Sequence, residues 1–163
     1  MEFMQTQTCR NLARSFAGES QARQRYTQYA DQARKEGLAY LARIFEETAA
    51  NEQIHAQEFL EKLQKYGRQP IENIDISAGY PYTLGVTMEN LLEAAKGENE
   101  ESVRVYPGFA KKGTPISPVS GRISPASKRC TGTSFWRAMS RCRPSGFIKR
   151  SARSSGAAST AAL

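Results

Sequence analysis

The chain has 163 residues, 39% of them hydrophobic, with a formal net charge of +7, one histidine and three cysteines. That length predicts a single domain, and Cys9, Cys130 and Cys142 are too few for a disulfide framework, so a reducing cytoplasm is expected rather than export. No apolar run reaches membrane-spanning length and residues 1–10 lack the apolar segment of a leader, so no membrane partner is expected.

The first predicted helix covers about 7–35. Its apolar stripe runs Leu12, Phe16, Ala22, Tyr26, Tyr29 and Ala33, and Glu19 falls on that stripe. The second covers about 38–66, with Leu41, Ile44, Phe45, Thr48, Phe59 and Leu63 in register. Continuing that spacing through the gap places Glu52 and His55, the sole histidine, on the same inward face. Lys62, Lys65 and Arg68 complement the C-terminus of this helix, and Gly67 reads as its stop signal. A long connection over 68–86, carrying Pro70, Gly79, Pro81 and Gly85, fits the crossover that joins two helical hairpins. The third helix is expected over 87–110, starting near Thr87 and Asn90, with Met88, Leu91, Ala95, Ser102, Val105 and Phe109 inward. Glu98 takes an inward position between Ala95 and Ser102, and Glu101 follows one turn on.

Read singly, each acidic position has an ordinary explanation. Glu52 and His55 form a common i,i+3 pair, Glu19 pairs with Arg23 on a wet face, and residues 98–101 are a solvated charge run. Read together, three helices aim carboxylates at one core, where an uncompensated charge costs several kcal/mol, on the order of 2–7 for a single polar group. Four carboxylates and an imidazole on converging stripes describe a two-metal site rich in oxygen ligands. One Glu-x-x-His helix and two Glu-bearing helices are present; a second Glu-x-x-His is absent because there is no second histidine. The sequence also echoes itself: Gly18-Glu19 precedes Tyr26 and Gly97-Glu98 precedes Tyr106, as in a duplicated hairpin. A helix-interior glycine costs about 1 kcal/mol relative to alanine, and these two are expected to let neighbouring helices approach closely.

The three motifs Gly18-Glu19-Ser20-Gln21-Ala22-Arg23 with Tyr26, Glu52-Gln53-Ile54-His55-Ala56, and Gly97-Glu98-Asn99 with Glu101, Tyr106 and Phe109 resemble rubrerythrin over about residues 5–110. The resemblance implies an all-α, ferritin-like helical bundle with a non-haem di-iron site. It implies a peroxidase that reduces hydrogen peroxide to water in oxidative-stress defence. Iron ligands would be Glu19, Glu52, His55, Glu98 and Glu101, with Glu52 and Glu98 bridging. Tyr26 and Tyr106 would hydrogen-bond ligating carboxylates. The family also implies a C-terminal rubredoxin-like iron centre, an electron donor such as rubredoxin or an NAD(P)H-dependent reductase, and a homodimer or higher oligomer.

The charge divides sharply at residue 110. All 16 Asp and Glu and 12 of the 23 Lys and Arg lie in 1–110, giving that part −4 and residues 111–163 +11. The latter part is rich in Ser, Arg, Ala, Gly and Pro without apolar periodicity, so it is expected to be irregular and disordered. Two readings compete: a basic arm for nucleic acid, or translation out of frame. In a fixed shifted frame, residues 111–117 permit Glu-Gly-Tyr-Pro-Asp-Phe-Ala, and 127–137 permit a Glu-x-x-His. Residues 147–163 permit the Cys-x-x-Cys-Gly knuckle of a rubredoxin-like centre. A selected arm should not decode this way, so a frameshift near Ala110 is inferred and a nucleic-acid partner is not expected.

The expectation is therefore an incomplete ferritin-like di-iron domain over 1–110, with three long helices and the fourth lost, followed by the basic tail over 111–163. Peroxide reduction would be impaired, with an iron-storing or iron-buffering bundle as the alternative. The groove meant for the fourth helix should be open, exposing Phe16, Leu41 and Phe109, and favouring self-association.

Overall fold

The computed structural model describes residues 2–68, 71, 73–105, 107–108, 135, 137 and 138. Among these residues the regular structure is helical: α1 (Gln7–Lys35), α2 (Ala39–Gly67) and α3 (Thr87–Glu100), with a 3₁₀ turn at Phe3–Gln5 and a π-helical segment at Glu101–Val105.

Helix α1 starts where the Thr6 hydroxyl accepts the backbone N–H of Cys9 at 3.1 Å, satisfying one of the donors left open at a helix end. It ends in a reversal through Gly37, whose φ of 75° is the left-handed backbone that glycine adopts without a Cβ penalty. This short turn folds α2 back along α1 to form the principal helical hairpin. Helix α2 continues through Gly67, so that glycine is not the stop signal; Arg68, at φ 58°, takes the left-handed position. Gly67 has a different role, because a Cβ there would lie 2.8 Å from Ile71 Cδ1, which folds back against the helix.

The third helix also differs from its expected course. Val86 is the N-cap residue, and the carboxylate of Glu89 accepts the Val86 N–H at 3.2 Å, half of a capping box. Asn90 is buried inside the first turn and bridges Gly85, its Oδ1 accepting the Gly85 N–H at 2.9 Å and its Nδ2 donating to Gly85 O at 2.8 Å. A second cap comes from the hairpin: the Glu36 carboxylate accepts the Thr87 N–H at 3.0 Å. The α-helical part stops at Glu100 and the chain widens into the π-helical turn, where a single continuous helix to residue 110 was expected.

The core has two apolar clusters. The larger packs Tyr26, Tyr29, Leu41, Phe45 and Leu91 with small alanines; the smaller packs Cys9, Leu12, Phe59 and Leu63 near the opposite end of the hairpin. The predicted stripes supply nearly all of these residues. Met88 departs from its stripe and is 38% exposed.

Phe135 and Ala138, in helical backbone, are buried in the larger cluster. The Phe135 ring lies 5.8 Å from Tyr26 and 5.5 Å from Phe45. Leu41 is 1% exposed, so the expected opening at this residue does not exist. Phe16 is half-buried against the smaller cluster, and Phe109 lies outside the described residues.

Candidate metal centre

Between the two apolar clusters lies a polar layer. Glu19 on α1 and Glu52 on α2 are 3% and 1% exposed, and His55 stands one turn after Glu52. Antiparallel packing of the hairpin brings the α1 carboxylate to the α2 pair. His55 Nδ1 lies 3.0 Å from Glu52 Oε2 and 3.6 Å from Glu19 Oε2. Ligand atoms of these three side chains all lie within 4.8 Å of one another.

Burial disfavours a charged imidazole, but the hydrogen bonds and negative charge of Glu19 and Glu52 outweigh it and raise the His55 pKa from 6.5 to about 9. One imidazolium against two carboxylates leaves the layer with a negative excess in a poorly solvated place. Two carboxylates and an imidazole are a donor set suited to a borderline divalent cation such as ferrous iron, and a cation there would remove that excess. The side chains present therefore fit an iron ion at the Glu19–Glu52–His55 group.

The other expected site residues stand differently. Glu98 is 1% exposed on α3, and its Oε1 accepts a hydrogen bond from the Tyr26 hydroxyl at 2.8 Å. This is the carboxylate contact expected for Tyr26. Glu101 is partly buried at the first residue of the π-helical segment. Neither carboxylate belongs to the group of donor atoms within 4.8 Å. Tyr106 lies outside the described residues, as do the cysteines and most other positions of the basic tail.

Two polar positions near the layer were not singled out from the sequence. Asn11 and Ser15 are buried two turns and one turn before Glu19. The signal was available, since 11, 15 and 19 follow one another at i+4 and form a polar row inside an apolar stripe. Asn11 accepts a hydrogen bond from Gln7 Nε2 at 2.8 Å.

A helical bundle with a buried carboxylate–histidine layer defines a ferritin-like metal protein. The sequence model of the rubrerythrin family matches residues 10–114, most of the chain, and the chain belongs to that family. Rubrerythrin-1 of Clostridium acetobutylicum is 52% identical over 107 residues, which are 65% of this chain and 54% of that protein. The rubrerythrin of Porphyromonas gingivalis is 44% identical over 107 residues, covering 65% of this chain and 50% of that one. A structure of nigerythrin in a mixed-valence state superposes with a TM-score of 0.67 at 26% identity, covering 83% of this chain and 66% of the other. The matched stretch thus spans about half the length of the curated relatives. The buried Glu19–Glu52–His55 group is a partial cluster of the kind that serves non-haem iron in rubrerythrins. Among the described residues, no helix is long and apolar enough to cross a membrane.

Proposed function

We propose that this chain derives from a cytoplasmic rubrerythrin-type oxidoreductase that reduces hydrogen peroxide, and that its own turnover is impaired. The observation that carries this reading is the convergence of Glu19, Glu52 and His55 within 4.8 Å in a buried layer. Bound iron would supply electrons to the peroxide one per metal. Glu19, Glu52 and His55 would hold one iron, with Glu98 and Glu101 turned toward a second. His55 must lose its proton to ligate; that proton leaves to solvent as the cation binds, because Glu19 and Glu52 beside it must stay ionised to ligate as well. Tyr26 holds Glu98 at one oxygen, which fixes the orientation of that carboxylate. Tyr106 is proposed for the equivalent task on the other hairpin. Rubredoxin or an NAD(P)H-dependent reductase is the proposed electron donor, and a homodimer or larger assembly the proposed form.

The tail over 111–163 is proposed to be out-of-frame translation that replaced the fourth-helix ligands and the rubredoxin-like knuckle. The absence of any acidic residue after Glu101 supports this. So does the decoding of 127–137 into a Glu-x-x-His. Iron binding without turnover is the second reading, favoured by a converged donor group that amounts to one metal's set.

Both chains, as written and in the restored frame, would be loaded with iron and peroxide consumption followed with a reductant. The restored chain should turn over about a hundredfold faster or more, as expected when ligands of one metal are regained. Equal rates would overturn the reading of the tail and the role given to the missing ligands.

A further inference from the structure

A cavity of about 310 Å³ lies between α1, the crossover near Tyr80 and the end of α3. It holds far more than the roughly 30 Å³ of a single water. Its lining passes from exposed residues, Pro81 and Arg104, to Glu19, which is 3% exposed. Glu101 also lines it, so the cavity leads from solvent to two of the carboxylates assigned to the metal layer.

The two glycines of the internal echo, Gly18 and Gly97, both face this cavity. A Cβ on Gly18 would stand 3.4 Å from Tyr80 Cε1, in ordinary contact with the crossover wall. A Cβ on Gly97 would meet no described atom within 4 Å. Among the described residues, helix packing therefore does not require glycine at 97, although glycine costs about 1 kcal/mol relative to alanine in a helix interior. What a side chain at 97 would do is occupy the cavity. The walls also carry polar atoms: Ser15 is 6% exposed, lines the cavity, and its Oγ has no hydrogen-bond partner among the described residues. The buried Nε of Arg25 likewise lacks one. Arg14, Arg25 and Arg104 in the lining are matched by Glu19, Glu100 and Glu101, so its charged groups balance and set no preference for the sign of a solute.

We propose that this cavity is the passage by which a small oxygen solute of peroxide size reaches the carboxylate layer, and that Gly97 keeps it open. The identity of the solute rests on the di-iron reading; the passage itself does not. Gly97 is a gating position that carries no ligand atom itself, although it precedes Glu98 in the chain, and the polar atoms of Ser15 and Arg25 hold the solute or its water in transit.

The test uses the full chain with Gly97→Ala and Gly97→Leu. In the metal-free protein, dissolved dioxygen is the probe, read by paramagnetic relaxation of the Ala22 methyl in the cavity wall against that of Ala33 in the apolar core. Relaxation at Ala22 should fall in the order Gly, Ala, Leu, several-fold for Leu, with Ala33 unchanged. Equal relaxation in all three proteins overturns the passage. In the Co²⁺-loaded protein, azide is the probe, followed by visible absorption in stopped flow. Gly97→Leu should slow binding and release by the same factor and leave the Kd unchanged. Unchanged rates, or a shifted Kd with an unchanged on-rate, overturn the gating role. Failure of the native chain to bind Co²⁺ would sink the metal reading alone, and the dioxygen measurement would then decide the passage.

Discussion

The α1–α2 hairpin and the half of the molecule that begins with α3 solve the same problem to different degrees. Each bears a glycine followed by an inward glutamate, and each buries that glutamate almost completely. In the hairpin, two 29-residue antiparallel helices bring three donor side chains within 4.8 Å of one another. In the second half, α3 is half that length and its carboxylates stay outside the converged group. A ligand set needs two helices facing each other, and among the described residues α3 and the crossover before it are tied to the hairpin by hydrogen bonds. Tyr26 donates to Glu98, Glu36 caps Thr87, and the Tyr29 hydroxyl donates to Thr83 O at 2.8 Å.

The comparison can be broken most forcefully at Phe135. If residues beyond 110 contribute nothing to the fold, Phe135→Ala leaves stability unchanged. Its ring is fully buried against Tyr26 and Phe45, so the expected loss is about 3–5 kcal/mol in urea unfolding, the usual cost of removing a core phenyl group.

The hairpin's own polar layer gives the next effect, through pH. His55 titrates at about 9 in the folded chain against 6.5 as its ordinary value, so protonated His55 favours the folded state. Its contribution, on the order of 3 kcal/mol, is fully present below pH 6.5 and is lost as pH rises through 9. Metal affinity should have the opposite slope, because the proton competes with the cation: about tenfold weaker per pH unit below 9. Urea titrations and Co²⁺ titrations across this range should therefore cross, and parallel slopes would dissociate His55 from the metal layer.

The tie between the halves is sharpened by Tyr26→Phe. It removes the donor to a buried carboxylate and should cost about 2 kcal/mol. It should also weaken the contribution of Glu98 while leaving Co²⁺ binding at Glu19, Glu52 and His55 within about twofold. A large loss of Co²⁺ affinity would show the two halves to be one site.

The smallest effect is expected at Glu36→Gln. Hydrogen bonds from Gln32 and Thr87 outweigh the cost of burial and lower the Glu36 pKa below its ordinary 4.5. Its stabilisation is present above pH 4.5 and fades as pH falls through the lowered value. Because Glu36 is exposed, thermal unfolding at pH 7 should show a loss under about 1 kcal/mol, shrinking in acid.

What the amino-acid order determined by itself was the local repeat. Side chains three and four apart share a helix face, so the stripes, the inward placement of Glu19, Glu52, His55 and Glu98, and the length of the crossover followed from spacing alone. The three separated motifs likewise marked the family before any contact was known. Only the tertiary structure decided which inward carboxylates meet, because that depends on how the α1 and α2 axes cross and on where α3 stops being α-helical. It alone buried Leu41 and placed Phe135 against Tyr26, contacts between positions far apart in the chain. It also reassigned the glycines. Gly67 yields to Ile71, Gly18 touches Tyr80, and Gly97 meets no described atom within 4 Å, distinctions set by neighbours that no local pattern specifies.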